Sequence, residues 1–263
     1  MTAARPAAGR MRAGSYTLDL VTHLVGREFK LRYRRALLGW AWAVAEPLVR
    51  FGVLAFVFTV VLPLGIPDYP AHLFTGIMAW SWFSSGIASA TSSAVDRREL
   101  FLRPELPRAV VPTVSVLTDG LDYLAALPIL AAFLLLGDGI PVTALALPIV
   151  LATQLLLTLG LGFAQCAANV YLRDVRLMVT VGLTAAFYLT PVFYAAESVP
   201  EPYRALIALN PVARLLAVYR DILVEGRLPQ AGAFLALIAA CGTVFALGYA
   251  IYRRVAPSFL DEL

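Results

Sequence analysis

The sequence has little charge for its length. Only 14% of its 263 residues are charged, whereas 60% are hydrophobic, and the mean hydropathy is +0.78. A water-soluble domain usually has about a quarter charged and about half apolar residues. The excess apolar residues need an environment other than water, and long apolar runs indicate that this environment is lipid.

Lysine is almost absent. The single lysine, Lys30, is followed by Leu31, whereas a phosphate-binding loop of the GxxxxGK[ST] type needs a lysine followed by serine or threonine. The chain is therefore not itself a P-loop ATPase. The net charge of +4 and pI of about 9.2 are explained better by basic cytoplasmic loops of a membrane protein than by nucleic-acid binding.

Cysteine and histidine are also scarce. Cys166 and Cys241 lie in apolar segments, where we expect inert small side chains and no disulfide or metal pair. His23 and His72 are isolated, so no metal cluster is predicted. An integral membrane enzyme, such as a lipid-diphosphate phosphatase or a glycosyltransferase, needs a cluster of acidic, His or Cys residues at a membrane face. The scarcity of such residues argues against that class.

Apolar runs are what the chain has in abundance. Each is long enough to cross about 30 Å of hydrocarbon as a helix, the default in lipid because the backbone must bond to itself. These patterns predict an all-α integral membrane protein with six transmembrane helices. The runs are 48–64, 73–95, 109–136, 142–170, 177–195 and 231–252.

The distribution of basic residues predicts the orientation. Of the 21 lysines and arginines, 17 lie in segments that face one side if the N-terminus is cytoplasmic, and the short loops 63–72 and 137–141 have none. Basic residues mark the cytoplasmic side. We therefore expect both termini in the cytoplasm. Residues 1–17 are predicted to be a disordered cytoplasmic tail, and 18–263 a single transmembrane domain.

Residues 18–35 predict an amphipathic helix at the cytoplasmic membrane surface. Leu18, Val21 and Val25 fall on one side at 100° per residue, and cations such as Arg27 and Lys30 on the other. The stripe is imperfect, because Glu28 and Arg32 lie on the apolar side, where their i, i+4 spacing allows an ion pair. The alternative is a simple positive-inside anchor.

Polar residues within the apolar runs carry separate expectations. Glu46 and Arg50 are one turn apart and are expected to pair. Asp119 and Asp122 share a helix face, and Asp122 lies about 22 Å from the turn at Gly137, within reach of a cytoplasmic arginine. A proton relay is the disfavoured alternative. Interhelical hydrogen bonds are expected from Gln154, Gln165 and Asn169.

Residues 196–230 are too apolar for a free loop and too broken for a span. They read as two short helices kinked near Asn210 and Pro211. Four arginines in this segment are expected to meet either lipid headgroups or glycan phosphates, and the sequence does not choose between them. They are Arg204, Arg214, Arg220 and Arg227.

Four stretches, in this order, resemble the permease subunits of ATP-binding-cassette exporters of polysaccharides. REFKLRYRRALLGWAWAVAEP, from residue 27, resembles the start of the first span, and LFLRPELPRAVVP a coupling loop. NVYLRDVR resembles the second cytoplasmic loop. TPVFYAAESVP with LNPVARLLAVYRDIL resembles the end of span five and a re-entrant outer hairpin. The resemblance covers residues 20–255.

The resemblance implies a homodimer working with two copies of a separate ATPase, which binds the ATP and Mg, so that this chain needs no cofactor and has no catalytic residue. It implies ATP-driven export of a lipid-linked polysaccharide of the O-antigen, teichoic acid or galactan kind across the cytoplasmic membrane. Helix 18–35 would be the interface helix, 96–108 the coupling loop, and 196–230 the re-entrant segment.

Two sets of site residues follow from the resemblance. The ATPase-coupling residues are Arg97, Arg98, Glu99, Leu100, Phe101, Leu102, Arg103, Arg173, Asp174 and Arg176. The alternatives are an ordinary polar loop for the first seven and a structural ion pair for the last three. The substrate-pathway residues combine cations suited to a diphosphate with aromatic rings suited to sugars, the alternative being membrane-belt and packing aromatics. They are Arg32, Tyr33, Arg34, Arg35, Trp40, Trp42, Phe187, Tyr188, Phe193 and Tyr194.

Two other kinds of transporter are alternatives. A drug or small-lipid exporter would share the architecture, but the basic stretch before the first span favours polysaccharide export. A secondary transporter usually has more spans, inverted repeats and broken mid-membrane helices, and no such repeat is visible here.

Overall fold

The computed structural model describes residues 8–34, 37, 39–101 and 106–262, with side chains from residue 17 onward except those of 260 and 261. Within these residues the chain is all helical. The helices are α1 Ala8–Tyr33, α2 Trp42–Phe56 with a π-helical turn Val57–Val61, α3 Tyr69–Asp96, α4 Arg98–Phe101, α5 Val110–Leu136, α6 Leu147–Tyr171, α7 Val175–Leu189, α8 Glu201–Leu209, α9 Pro211–Leu223, α10 Ala231–Val255 and α11 Phe259–Glu262.

Four helical stretches in the described part of the chain are long and apolar enough to cross a membrane: Gly39–Val61, Val110–Leu136, Val142–Tyr171 and Ala231–Ser258. Two further predicted spans are helical but different. Helix α3 has 28 residues, many of them Ser, Thr or Gly, and most of its length is buried inside the bundle. Helix α7 has only 15 residues and contributes no buried residue.

Helix α7 ends earlier than its apolar run predicts. The run continues to Ala195, but the helix stops at Leu189 because Pro191 has no N–H and disfavours a helical conformation at the residue before it. Thr190 is accordingly extended, with φ −94° and ψ 140°. Proline rather than hydrophobicity therefore sets this boundary.

Helix α1 is longer than predicted at its N-terminus. It begins at Ala8, so residues 8–17, which the sequence assigned to a disordered tail, are helical, and residues 1–7 lie outside the described part. The alanines, arginines and Met11 of this stretch are good helix formers. The predicted end of the helix, Arg35, also lies outside the described residues.

The core is built around α3, which packs against α2, α5, α6, α7 and α9. A large cluster joins α3, α5, α6 and α9, and a smaller cluster joins α4, the starts and ends of the neighbouring helices, and α11. We name the end that carries α4 and the α6–α7 connection the basic end, and the end that carries α8 and α9 the hairpin end.

Glycines allow the closest helix contact, between α6 and α10. A Cβ at Gly160 would lie 2.6 Å from the backbone of Phe245, and one at Gly248 would collide with the Gly160 carbonyl oxygen. Small residues at such points let helices approach in lipid. The predicted interhelical amide bond of Gln154 is also confirmed, since its Nε2 donates to the Ala79 carbonyl at 2.9 Å.

Candidate functional site

At the basic end, α1 is fastened to α5 by an arginine held between two aspartates. Arg32 Nη1 lies 2.7 Å from Asp119 Oδ1 and 2.6 Å from Asp122 Oδ2. The Tyr33 hydroxyl donates to Asp122 at 2.9 Å, and the Ser89 hydroxyl of α3 donates to Asp119 at 2.5 Å. The spacing i, i+3 puts both carboxylates on one face of α5. The prediction that an arginine from outside the span reaches Asp122 is confirmed for the contact itself.

Electrostatics at this cluster favour the charged arginine and the neutral tyrosine. Burial alone lowers the pKa of Arg32, but the charges of Asp119 and Asp122 outweigh it and hold that pKa above its usual range. Burial, followed by the negative charge of Asp122, raises the pKa of Tyr33 to about 12. Arg32 and Tyr33 therefore keep their protons throughout the physiological range.

A second tie joins α1 to the segment before α4. Arg97 Nη2 lies 3.2 Å from Glu28 Oε2, and Arg97 Nη1 donates to the Ser115 hydroxyl of α5 at 2.9 Å. The predicted i, i+4 pair between Glu28 and Arg32 is therefore wrong. Glu28 and Arg32 each find a partner outside α1 instead, because this face of α1 packs against α5.

The opposite face of α1 carries an exposed basic surface. Arg27, Lys30 and Arg34 are exposed, and they border a shallow groove with Thr22, His23, Gly26 and Leu31. Arg35 lies outside the described residues. Trp40 and Trp42 follow at the start of the first hydrophobic helix, 65% and 48% exposed. Beyond them the predicted pair of Glu46 and Arg50 is confirmed at 3.3 Å.

The predicted coupling loop contains a short helix, α4, with two different faces. Phe101 is buried and packs on Phe259, with ring centroids 6.1 Å apart, so it anchors the loop instead of forming an exposed apolar knob. Arg98 and Glu99 are exposed, and Leu100 is half-buried. Leu102 and Arg103 lie outside the described residues.

The second predicted loop lies beside the first. Arg176 Nη1 is 3.6 Å from Asp96 Oδ1 at the end of α3, and the Arg176 backbone N–H donates to Asn169 Oδ1 at 3.1 Å. Arg173 and Asp174 are exposed between α6 and α7. The ion pair that the sequence left open thus connects the two loops, and Arg98, Glu99, Arg173 and Asp174 remain outward.

At the hairpin end, residues 190–193 are held by side chains from separate elements. Arg220 of α9 is buried and its Nη2 donates to the Val192 carbonyl at 2.7 Å. The Tyr69 hydroxyl donates to the Phe193 carbonyl at 3.0 Å, and Asn210 Nδ2 donates to the Thr190 hydroxyl at 3.0 Å. A Cβ at Gly76 would strike the Val192 carbonyl, so the close approach requires glycine.

This turn carries an aromatic cluster. Phe193 stacks on Phe58 with centroids 5.1 Å apart and lies 5.7 Å from Phe187, which meets Trp80 at 5.8 Å. Tyr188 lies 5.3 Å from Phe187. Tyr194 lies 5.1 Å from Phe193, and its hydroxyl donates to the Leu189 carbonyl at 3.1 Å. These four aromatic residues of the predicted substrate pathway are therefore brought together, and Phe58 and Trp80 join them.

The two short helices predicted for this segment are present, with a break between them at Asn210. Helices α8 and α9 meet at Asn210, whose side chain caps α9 by accepting from the Val212 N–H at 3.0 Å. The expectation that all four arginines meet headgroups or phosphates is wrong for Arg220, which is buried. Arg204 and Arg214 are exposed but donate to carbonyls of their own segment, and Arg227 pairs with Asp221 at 2.8 Å.

Sequence reasoning missed some of these contacts. Glu28 with Arg97 joins residues 69 positions apart, and Arg220 with Val192 joins residues 28 apart, so neither follows from local spacing. An arginine whose neighbours one turn away on both sides of α9 are apolar was the available signal for the second. Among the described residues no group of three or more His, Cys, Asp or Glu is arranged to hold a metal.

Comparison with known proteins gives matches over most of the chain. The ABC-2 type transporter family matches residues 19–224. The O-antigen export system permease protein RfbA of Myxococcus xanthus is 33% identical over 93% of this chain and 95% of its own length. RfbA of Klebsiella pneumoniae is 28% identical over 94% and 96%. The polysialic acid transport protein KpsM of Escherichia coli is 23% identical over 90% and 93%. The chain belongs to the ABC-2 type transporter family.

Proposed function

We propose that this chain is the transmembrane permease subunit of an ATP-driven exporter that moves a lipid-linked polysaccharide across the cytoplasmic membrane. The observation that carries the proposal is the match over nearly the whole chain with relatives named for O-antigen export and polysialic acid transport. O-antigen, teichoic acid and galactan chains are the substrate kinds that fit. The drug or small-lipid exporter is not favoured, because these relatives are named for polysaccharides.

The proposed topology has six spans with both termini in the cytoplasm. Helices α2, α3, α5, α6, α7 and α10 run alternately between the basic and hairpin ends, which supports an even number of crossings. Because α7 is only about 22 Å long, its span is completed by the turn at residues 190–195. Helices α8 and α9 form a hairpin that re-enters the outer leaflet, and α1 lies on the cytoplasmic surface.

A topology test uses two exposed positions on opposite ends. Asp138→Cys lies in the turn after α5, and Arg98→Cys lies in α4. A membrane-impermeant thiol reagent added to intact cells should label the first variant and not the second. The buried Cys166 and Cys241 provide the unlabelled background in the parent chain. Labelling of Arg98→Cys from outside would contradict the six-span topology.

The proposed assembly is two copies of this chain with two copies of an ATPase. Large apolar side chains stand exposed along α2 and α7, including Val53, Phe56, Met178 and Val181, and these faces need lipid or a second permease to cover them. Arg98, Glu99, Arg173 and Asp174 form the outward surface proposed for the ATPase. Native mass spectrometry of the purified complex should give the two-plus-two stoichiometry.

The contacts suggest how a push on α4 reaches the substrate route. Arg97, directly before α4, is bonded to both Glu28 of α1 and Ser115 of α5. Movement of α4 therefore shifts the interface helix together with α5. Arg32 is already held by two carboxylates, so we assign first contact with the substrate diphosphate to Arg34, with Arg35, Tyr33, Trp40 and Trp42 at the entrance.

The proposed exit is the aromatic cluster at the hairpin end. Phe187, Tyr188, Phe193 and Tyr194 offer flat apolar faces to sugar rings. Arg220 and Tyr69 hold the turn that carries two of them. An exit formed by stacked rings can accept repeating sugar units without needing one exact hydrogen-bond pattern.

The test is depletion of the protein in its host, followed by mass spectrometry of lipid-linked glycans from the cytoplasmic leaflet. One carrier-linked glycan should accumulate while its surface product falls, and the wild-type gene should reverse both changes. Phe193→Ala should restore less export than the exposed aromatic control Tyr203→Ala. Unchanged surface glycans without an accumulating intermediate would refute polysaccharide export.

A further inference from the structure

The C-terminal end of the chain has no role in the function proposed above, yet it is deeply packed. Helix α10 runs to Val255, a short turn spans Ala256–Ser258, and α11 begins at Phe259. Phe259 is 0% exposed and Tyr252, one to two turns earlier, is 1% exposed. A chain end that is only a solvated tail would not bury its largest side chains.

This segment contacts the proposed coupling loop at two separate places. Phe259 contacts Phe101 near the start of the loop. At the far end the Arg108 guanidinium donates to the Ala256 carbonyl, and the Tyr252 hydroxyl donates to the Arg108 carbonyl at 2.8 Å. Two residues of the loop, Phe101 and Arg108, therefore contact the C-terminal segment.

The same segment also grips the second loop. The Tyr171 and Ser258 hydroxyls are 2.6 Å apart, and the Tyr171 ring lies 6.3 Å from that of Phe259. Tyr171 is the last residue of α6, and the exposed residues Arg173 and Asp174 follow it after Leu172. One aromatic side chain, Phe259, thus touches residues that border both loops.

The two loops also meet through the ion pair of Arg176 with Asp96. Its side chains are 62% and 49% exposed, and exposed ion pairs contribute little because water screens them. The contacts of Phe259 lie instead in a close-packed apolar cluster with Phe101, Val170 and Tyr252. Close-packed interiors transmit displacement, so the apolar contact is the stiffer connection.

We propose that residues 256–259 form a C-terminal wedge that holds the two ATPase-coupling loops at a fixed spacing. Phe259 is its central positioning residue, and a movement imposed on one loop is passed to the other through it. The coupling role rests on the proposed function, whereas the fixed spacing does not. The expected consequence is that ATP hydrolysis and export become uncoupled when the wedge is loosened.

The first experiment measures spacing without requiring transport. Spin labels at Arg98→Cys and Arg173→Cys report the distance between the loops by electron paramagnetic resonance, since the native cysteines are buried. The distribution should broaden in Phe259→Ala and stay narrow in Phe259→Leu, which keeps most of the volume. Glu262→Ala, an exposed change in α11, is the control. An unchanged distribution in Phe259→Ala overturns the wedge.

The second experiment uses the complete permease–ATPase complex in proteoliposomes. Phe259→Ala should still co-purify with the ATPase and hydrolyse ATP, but glycan exported per ATP should fall about 2- to 30-fold, the range seen when coupling residues are changed. Phe259→Leu should recover most of the loss. Tyr171→Phe removes only the hydroxyl and should lie between the two. It supplies the measurement if Phe259→Ala does not reach the membrane.

The two experiments separate the possible failures. Broadened spacing together with a wild-type complex that exports no polysaccharide refutes the proposed function and leaves the wedge standing as a connection between the loops. Export per ATP equal to wild type in both Phe259→Ala and Tyr171→Phe refutes the wedge. Loss of ATPase binding in parallel with export also refutes it, because Phe259 would then support docking rather than coupling.

Discussion

Replacing Arg32 with alanine should release α1 from α5. Arg32 is the cation shared by Asp119 and Asp122, at 2.7 Å and 2.6 Å. Its removal leaves two carboxylates facing each other, one of them 3% exposed, with no compensating charge from α1. Arg32→Lys should recover only part of the stability, because both carboxylates meet the single nitrogen Nη1 and the shorter lysine side chain has to bring its ammonium to the same point.

The magnitude follows from burial. Breaking a fully buried ion pair by removing one partner costs about 3–5 kcal/mol. The side chains of Arg32 and Asp122 are 33% and 23% exposed, so water offsets part of the loss and about 1–3 kcal/mol remains. For a chain of this size that corresponds to a Tm lower by about 2–10 °C.

Thermal unfolding in detergent micelles, followed by tryptophan fluorescence, measures this change. Arg27→Ala, an exposed arginine on the opposite face of α1, is the matched control and should leave Tm unchanged. Adding Asp119→Asn and Asp122→Asn to Arg32→Ala should recover part of the loss, because the stranded charges are gone. The reasoning fails if Arg32→Ala and Arg27→Ala have the same Tm, or if the triple variant is less stable still.

Three further predictions concern the helix contact, the hairpin end and pH. Gly248→Ala should lower the free energy of unfolding by about 1–3 kcal/mol, because the new Cβ forces α10 away from Gly160. In the same assay the control Gly242→Ala, whose Cβ would meet nothing within 4 Å, should leave stability unchanged. Equal stability of the two variants would contradict the contact. Arg220→Met should lower the free energy of unfolding by about 1–3 kcal/mol, because it leaves the Val192 carbonyl without its hydrogen bond, and it should reduce export. Arg204→Ala should do neither. Wild-type stability of Arg220→Met would refute the role of this hydrogen bond. Tyr33 has its pKa raised from 10.0 to about 12, so the folded state holds this proton more tightly and the stabilisation is fully present below pH 10 and lost as pH rises through 12. Ultraviolet titrations of wild type and of Tyr33→Phe should therefore differ by one tyrosine that ionises near the top of this range. If the missing tyrosine ionises near pH 10 instead, the assignment is contradicted.

Much of the architecture was predictable from local pattern. The helices α5, α6 and α10 begin and end close to their apolar runs, because each run must satisfy its own backbone hydrogen bonds in lipid. The break at Asn210 and the pair of Glu46 with Arg50 also follow from neighbours within four residues. The reach of a cytoplasmic arginine to Asp122 followed from counting residues along a helix.

Two of the wrong predictions concern polar side chains whose partners are distant in sequence. Glu28 and Arg32 had the spacing to pair with each other, but the structure gives each a different partner, far away in the chain. Arg220 was expected at a charged surface and is buried against a backbone carbonyl. Side-chain spacing lists possible partners, and helix packing selects among them.

The sequence by itself determined that this is a helical membrane protein, because composition and hydrophobic periodicity act within each segment, and four of its stretches carried the resemblance to polysaccharide exporters. Only the tertiary structure decided that Arg97 joins α1 to α5, that Arg220 holds the aromatic turn, and that Phe259 lies between the two loops. These contacts join residues far apart in the chain, and they exist only once close packing has brought the helices together.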